Sequence, residues 1–218
     1  MKTEHAFNRF KDLDGIEWRI IDHLAKDQGK YADYFWKALK YDSNDCLSQP
    51  SLSYEERMAL VYTGQGESSK YRVFITPYVD DSWQEQGSHA HFYVYSIQPT
   101  NHTNAVVNVG IELIVHNKLI NILGDASVFN EDTNPTEMNE DLESTVPYKS
   151  RITELLKDVV AALNGINVAS VGQFQFNERL SIYDRANLAL WNGESFIGYN
   201  VVMSTIMSGV SLDTECKY

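Results

Sequence analysis

The stretch VVNVGIELIVH, residues 106–116, decides the fold of this chain. Apolar side chains occupy every second position from Val107 to Val115, and polar residues such as Asn108 and Glu112 lie between them. Successive side chains of a strand point to opposite faces of the sheet. The alternation therefore predicts a long strand with one buried face, and with a second face that is wet or shared with a partner.

The same two-residue period recurs on both sides of this strand. It is visible in YRVFITPYV (71–79) and HFYVYSIQP (91–99), and again in VGQFQF (171–176) and SFIGYNVVMST (195–205). Runs of this length, rich in aromatic and β-branched residues, are typical of strands. The chain is therefore expected to build a sheet around residues 106–116.

A helix is predicted between these strands, in SRITELLKDVVAALNG (150–165). Ser150 is a suitable N-cap, and Asn164 with Gly165 is a suitable stop. The apolar stripe consists of Ile152, Leu155, Leu156, Val159, Val160 and Leu163. This stripe is expected to pack on the sheet face that carries Val107, Val109, Ile111 and Leu113.

The N-terminal part of the chain has helical spacing instead. DLDGIEWRIIDHLAK (12–26) and KYADYFWKALKY (30–41) place apolar residues three and four positions apart. Ser53 stands three residues before Glu56, which is a capping-box pattern and predicts a third helix from about Tyr54 to Tyr62.

The order of elements predicts an α+β fold: a mostly antiparallel sheet with a long helix packed across it, and a helical N-terminal region. We divide the chain into a helical extension, residues 1–66, and an α+β core, residues 67–218. Within the core, residues 124–143 carry seven acidic residues and no Lys or Arg. This acidic stretch is interpreted as a long surface loop that is mobile or ordered by a neighbouring subunit.

Composition excludes several classes of function. The chain has 30 Asp and Glu against 18 Lys and Arg, a formal charge of -12, which disfavours general binding to nucleic acid. We expect no membrane association, because no apolar run is long enough to span a bilayer and the start lacks the apolar core of a signal peptide. Cys46 and Cys216 have no metal-ligand spacing and are expected to be free thiols.

Two groups of residues have metal-ligand character. His89 and His91 stand two apart on a predicted strand, so both imidazoles point to the same face. We favour the interpretation that they are polar residues on an exposed strand face, since no carboxylate follows closely. Asp80, Asp81 and Glu85 are interpreted as solvated acids of a turn, and no metal or cofactor is expected.

No catalytic signature is present. His116 is either a general base or the polar end of a strand, and the chain lacks a nucleophile elbow, a P-loop and a dinucleotide-binding turn. We therefore expect a protein that is not an enzyme. Aromatic residues are interpreted as core or subunit contacts, and the interface candidates are Tyr34, Phe35, Trp36, Trp83 and Trp191.

A resemblance gives these elements a functional context. VVNVGIELIVHNKLINI (106–122), SRITELLKDVVAALNG (150–165) and YNVVMSTIM (199–207) resemble the neck and tail-completion proteins of tailed bacteriophages, in particular the tail-terminator-like family. KYADYFWKALKYD and YRVFITPYVDDSWQEQ resemble parts of phage structural proteins. The pattern extends from about Tyr71 to Met207.

The resemblance implies a virion structural protein of the head-tail junction, assembled in the host cytoplasm. Its copies are expected to form a closed ring that joins a portal or adaptor to the tail, with double-stranded DNA passing through without specific binding. Two alternatives stay open at this point. One is a small metal-dependent enzyme that uses His89 and His91, and the other is a soluble protein-binding module.

Overall fold

The computed structural model describes residues 15–75, 86–100, 104–123, 148–168, 171–183 and 195–208. The three N-terminal helices predicted from the sequence are confirmed. They are α1 (Ile16–Lys26), α2 (Lys30–Lys40) and α3 (Tyr54–Met58), with a 3₁₀ turn at Cys46–Ser48.

The third helix is shorter than predicted, for a tertiary reason. The capping box is present, since Ser53 accepts a hydrogen bond from the Glu56 amide and the Glu56 carboxylate accepts one from the Ser53 amide. Beyond Met58, however, the chain pairs with a strand: Tyr62 donates to the carbonyl of Val73 at 2.8 Å. The main-chain groups beyond Met58 therefore form hydrogen bonds with a strand, and the helix does not continue.

The main sheet has five strands in the order β1-β2-β3-β9-β8. Its strands are β1 (Val73–Phe74), β2 (Ser88–Pro99), β3 (Asn104–His116), β8 (Gln175–Phe176) and β9 (Phe196–Ser208). β1 runs parallel to β2, and the other neighbouring pairs are antiparallel. The predicted α+β class with a mostly antiparallel sheet is confirmed.

Two short sheets and two more α-helices are also among the described elements, with 3₁₀ turns at Ser68–Lys70 and Asn117–Leu119. They are β4 (Asn121–Leu123) with β5 (Tyr148–Ser150), β6 (Asn167–Val168) with β7 (Gly172–Gln173), α4 (Arg151–Leu163) and α5 (Glu178–Tyr183). The acidic stretch, residues 124–143, lies outside the described residues. Its flanks are held together, because Leu123 pairs directly with Tyr148.

Helix α4 packs on β3, β9 and α2. Its predicted apolar stripe is confirmed: Leu155 and Val159 are fully buried in one core cluster with Ile111 of β3. Leu156 and Val160 pack against the same core but are only partly buried.

The predicted ends of α4 are correct in position. Ser150 stands at the N-cap, although its side chain makes no capping hydrogen bond. The Arg151 amide donates instead to the carbonyl of Ile120 at 2.7 Å. At the other end Gly165 adopts a positive φ of 79°, a conformation that glycine tolerates well.

The N-terminal helices share a core with the sheet. Ile20, Phe35 and Trp36 belong to the same buried cluster as Ile111 and Met203. The proposed division between residues 66 and 67 stays a prediction, but the two parts do bury their apolar side chains together.

The expectation that the second face of β3 is wet or shared with a partner is wrong. From Val107 to His116 every residue of this strand is buried. Asn108 and Glu112, on the face away from the core helices, are 2% and 7% exposed. The sheet therefore has a second buried face, and that face is polar.

Candidate functional site

His89 and His91 lie on this second face, and both are buried. Their exposed fractions are 1% and 0%, so the interpretation as exposed polar residues is wrong. The strand register places His91 directly opposite Glu112 of β3, and His89 opposite Ile114. Alternation along the strand was predicted correctly, but whether the histidine face meets solvent depends on what packs over it.

Glu112 is a charged neighbour of His91. Its Oε2 atom lies 4.0 Å from Nδ1 of His91. The ring of Phe74, on β1, stands 5.2 Å from the ring of His91 and 6.3 Å from that of His89, measured between centroids. An aromatic ring and a carboxylate thus border the two imidazoles.

Asn200 and Tyr93 extend this polar group across three strands. Asn200 of β9 pairs with Glu112, and its Oδ1 accepts a hydrogen bond of 3.2 Å from the Tyr93 hydroxyl. The Tyr93 ring lies over Gly110, where an added Cβ would come within 2.5 Å of the ring. A glycine inside a strand indicates close approach of another group, and this was the signal in the sequence for a covered face.

A second hydrogen-bonded group continues along the same face. Asn108 donates to the Ser96 hydroxyl at 2.8 Å and accepts from the hydroxyl of Ser204. Asn177 donates to Ser204 at 2.8 Å, and its Oδ1 accepts from the amide of Leu180 at 3.1 Å, in the first turn of α5. The polar layer therefore connects the sheet to α5 through satisfied hydrogen bonds.

Burial lowers the pKa of His89 well below its ordinary value of 6.5. The positive charge of Arg72 and the neighbouring His91 act in the same direction. Arg72 itself forms an ion pair with Asp42, with a distance of 2.8 Å between Nη2 and Oδ2. His89 is consequently neutral near pH 7.

The two histidines are enclosed, and the described residues around them complete no metal-ligand group. Within the described part of the chain, no group of three or more His, Cys, Asp or Glu side chains is placed to hold a metal ion. Neither His89 nor His91 has appreciable exposed surface from which to reach a substrate. The acidic residues Asp80, Asp81 and Glu85 lie outside the described residues.

His116 has a structural role at the end of β3. Its Nδ1 atom accepts a hydrogen bond of 3.1 Å from the amide of Lys118 and so caps the 3₁₀ turn at Asn117–Leu119. The ring of Phe196 contacts it edge-on, with 5.0 Å between centroids. Two roles were considered for His116, a general base and a polar residue at the end of a strand. This geometry favours the second.

Among the interface candidates, Phe35 and Trp36 are fully buried within the chain. Their rings meet edge to face at 5.6 Å, and the Trp36 indole donates a hydrogen bond of 2.9 Å to the carbonyl of Leu24. This places both residues in the core, where they dock α2 against α1. A side chain without exposed surface does not itself touch another subunit.

The other interface candidates remain predictions. Tyr34 is partly buried, and its ring lies 5.5 Å from Nζ of Lys30 and 5.8 Å from Nζ of Lys37. Trp83 and Trp191 lie outside the described residues.

Large apolar side chains are exposed at sites that the sequence did not indicate. On the main sheet these include Ile97, Ile197 and Tyr199, whose exposed fractions are 40%, 38% and 37%. Leu123 and Tyr148 are exposed as a cross-strand pair at the base of the acidic stretch. Alternation predicts a strand but does not tell which parts of its faces other elements cover, so these positions were missed.

The comparison with protein families places the chain among proteins of phage origin. The profile of the YomW family, which derives from Bacillus phage SPBc2, matches residues 32–205. The match spans most of the chain, and the chain therefore belongs to the YomW family. No curated protein and no solved structure matches it. None of the helices in the described residues has the length and apolar character needed to cross a membrane.

Proposed function

We propose that this protein is a structural component of the phage head-tail junction, where copies of it form a ring that joins the portal or adaptor to the tail. The phage origin of its family supports the proposal at the coarsest level. The likeness of residues 106–122, 150–165 and 199–207 to tail-completion proteins supports the more specific role.

The observation that carries the proposal is the exposure of large apolar side chains on regular strands. Ile97 stands on β2, and Ile197 and Tyr199 stand on β9, the two long strands on either side of β3. Exposed apolar side chains favour association, and proteins that stay monomeric rarely expose large contiguous apolar patches. A subunit that binds its own copies has a use for these surfaces.

The buried polar face supports a structural role for this protein rather than a catalytic one. His89 and His91 are enclosed, and they lie beside Phe74 and Glu112 without a group of three metal ligands among the described residues. Their contribution in the proposed role is to fix the register of β2 on β3. Buried polar groups favour one arrangement of strands over its neighbours, since a shifted register would break their contacts.

The charge of the chain suits a ring around passing DNA. Because the chain has a formal charge of -12, it does not attract the phosphate groups of DNA strongly. In the proposed role, DNA therefore moves through the ring without being bound. The exposed pair of Leu123 and Tyr148 lies at the base of the acidic stretch, and in this role it offers a second contact to a neighbouring protein.

The test is removal of the gene from the phage, followed by electron microscopy of the particles. The expected result is filled heads and complete tails that are not joined, with joining restored when the wild-type chain is supplied in trans. Mass spectrometry of purified wild-type particles should find the chain, and a labelled chain should lie at the junction.

Other results would refute this role. Particles that lack the chain yet join tails and infect normally would do so, and so would a wild-type chain that is absent from particles. A purified monomer that retains a stoichiometric transition metal would favour the metal-dependent enzyme instead.

A further inference from the structure

The chain between α3 and β2 contributes a strap, residues 60–74, to the main sheet. The two ends of the strap lie side by side. The Tyr62 amide donates a hydrogen bond of 2.8 Å to the carbonyl of Val73, and the Arg72 amide donates one of 2.9 Å to the carbonyl of Leu60. The strap is therefore a small unit with hydrogen bonds of its own.

The strap joins β2 through β1, which forms its second end. Val73 pairs with Ala90 and Phe74 pairs with His91, in parallel. The Ala90 amide also donates a hydrogen bond of 2.9 Å to the carbonyl of Arg72. On its other side β2 pairs with β3 along its whole length, from residue 88 to residue 99. The described contact of β2 with the strap is much shorter than its contact with β3.

The side chain of Arg72 meets His89 at this contact. An added Cβ at Gly87 would collide with Nη1 of Arg72, and Nε2 of His89 lies 2.8 Å from the same point. The guanidinium and the imidazole therefore meet over Gly87, where the missing side chain leaves room for both. The strap supplies a second neighbour, since the ring of Phe74 stands 6.3 Å from that of His89.

The charges around this contact leave Arg72 only partly neutralised within the described residues. Its Nη2 atom pairs with Oδ2 of Asp42 at 2.8 Å, but its buried Nη1 atom makes no hydrogen bond to a described residue. On the sheet, His91 follows His89 on the same strand face. Glu112 lies beside His91, with 4.0 Å between Oε2 and Nδ1, and so the described carboxylates pair with the neighbours of His89.

These surroundings favour the neutral form of His89. Burial lowers its pKa well below the ordinary value of 6.5, and Arg72 and His91 lower it further. A hydrogen bond with the main chain of Tyr71 acts in the opposite direction but does not outweigh them. The closed strap therefore holds a histidine that would be protonated more easily in water.

We propose that protonation of His89 releases the strap from β2, so that this part of the sheet opens in mild acid while the rest of the chain stays folded. An imidazolium would lie against the Arg72 guanidinium in a buried place, where like charges repel strongly. Moving the strap relieves the repulsion, because Arg72 leaves with it and water reaches His89. The inference concerns the chain itself and does not depend on the proposed ring.

The strap is the part that yields, because its contact with β2 is the shorter one. Release uncovers Val73 and Phe74, which are 0% and 6% exposed in the closed form. Their burial keeps the strap closed as long as His89 is neutral. Two states of the strap thus differ in one bound proton and in the exposure of β1.

Hydrogen exchange of the purified chain, measured by NMR from about pH 7 to about pH 5, tests the proposal. The Ala90 amide reports release directly, since its acceptor is the strap carbonyl of Arg72. Its protection factor is expected to fall by up to about tenfold for each pH unit below 6.5, because the released state binds one more proton.

The Val159 amide, in the middle of α4, distinguishes release of the strap from unfolding of the whole chain. At each pH the Ala90 amide should be less protected than the Val159 amide. Low concentrations of urea promote only openings that expose much surface. Urea should therefore accelerate exchange at Val159 and leave exchange at Ala90 nearly unchanged.

Two variants identify the group that takes up the proton. His89→Gln should remove the pH dependence at Ala90, because glutamine takes up no proton. His91→Gln is the matched control on the same strand face and should keep it. Asp42 also loses its charge in acid, but His89→Gln retains Asp42 and so separates the two groups. Thermal unfolding of each variant checks that the fold is retained.

A third variant covers the case in which a buried histidine cannot be replaced without loss of the fold. Arg72→Gln should weaken the pH dependence at Ala90, because the imidazolium then meets no guanidinium. The side chain of Arg72 is 15% exposed, so glutamine at this position reaches water more easily than at the histidines.

Three results would overturn the strap release. They are an Ala90 protection factor that does not change with pH, a pH dependence that persists in folded His89→Gln, and equal protection and urea response at Ala90 and Val159. The proposed function is decided separately, since it depends on whether the chain is found at the junction of phage particles. The strap experiment uses the purified chain and has the same meaning in either case.

Discussion

The Nη1 atom of Arg151 donates a hydrogen bond of 2.7 Å to the main-chain carbonyl of Tyr41, 110 residues earlier in the chain. The same fully buried guanidinium donates to the carbonyls of Ala38, Ser43 and Leu119, at 2.9, 2.6 and 2.9 Å. Carbonyls at the end of a helix have no partner within it. Arg151 supplies those partners for α2 and ties it to the start of α4.

Arg57 repeats this arrangement at the end of α1. Its fully buried side chain donates to the carbonyls of Ala25 and Asp27, at 3.2 and 2.6 Å, and pairs with the carboxylate of Asp33 at 3.2 Å. Carbonyls at the C-terminal ends of α1 and α2 thus each accept hydrogen bonds from a buried arginine that lies later in the sequence.

Replacing Arg151 by Met is expected to lower the free energy of unfolding by about 3 to 5 kcal/mol, because two buried and two partly buried carbonyls lose their donor. Urea unfolding followed by circular dichroism measures the change. Lys26→Met is the control: its ion pair with Asp22 is exposed, so the stability should stay nearly unchanged. An Arg151→Met variant as stable as the wild type would contradict the proposed helix capping.

Two adjacent leucines of α4 test the packing of the predicted stripe. Leu155→Ala is expected to lower the free energy of unfolding by about 2 to 5 kcal/mol, as for other fully buried leucines. Leu156→Ala should have a clearly smaller effect, since Leu156 is only partly buried. Equal losses in urea unfolding would show that the two positions are packed alike.

Trp36→Phe tests the docking of α2 on α1. The substitution keeps an aromatic ring but removes the indole donor, leaving the carbonyl of Leu24 without its 2.9 Å hydrogen bond. The expected loss is about 1 to 3 kcal/mol in thermal or urea unfolding. Trp18→Phe makes the same change at a tryptophan that is 40% exposed, and it should leave stability almost intact. If both substitutions had the same effect, the hydrogen bond would not be the cause.

The lowered pKa of His89 predicts a pH dependence of stability. Burial, with Arg72 and His91 nearby, keeps His89 neutral in the folded chain, whereas in the unfolded chain it takes up a proton near its ordinary value of 6.5. Between these two pKa values the unfolded state binds more protons. Stability is therefore complete above pH 6.5 and falls as the pH drops below it, by at most about 1.4 kcal/mol per pH unit for one group.

His89→Gln should flatten this dependence, because glutamine takes up no proton. Urea unfolding at a series of pH values below 7 measures the slope for the wild type and the variant. If the slope were unchanged in His89→Gln, the dependence of stability on pH would have to come from other groups.

The predictions from sequence succeeded where the signal is local. The three- and four-residue spacing in residues 16–26, 30–40 and 151–163 depends only on the geometry of one helix, and each of these helices is present. The pairing of Ser53 with Glu56 is equally local and was found as predicted.

The predictions for site residues depended on distant contacts and were less successful. His89 and His91 were placed correctly on one strand face, but their burial beside Phe74 depends on the parallel pairing of β1 with β2. Phe35 and Trp36 were among the expected interface residues, yet their burial follows from how α2 meets α1 and the sheet.

The sequence by itself determined which residues are helical, which are extended and which side chains share a face, because periodicity within one element sets these properties. Only the tertiary structure decided that both faces of β3 are buried, that Arg57 and Arg151 cap the helices, and that His89 and His91 are enclosed. Each of these features depends on contacts between distant parts of the chain, and the local sequence pattern does not determine such contacts.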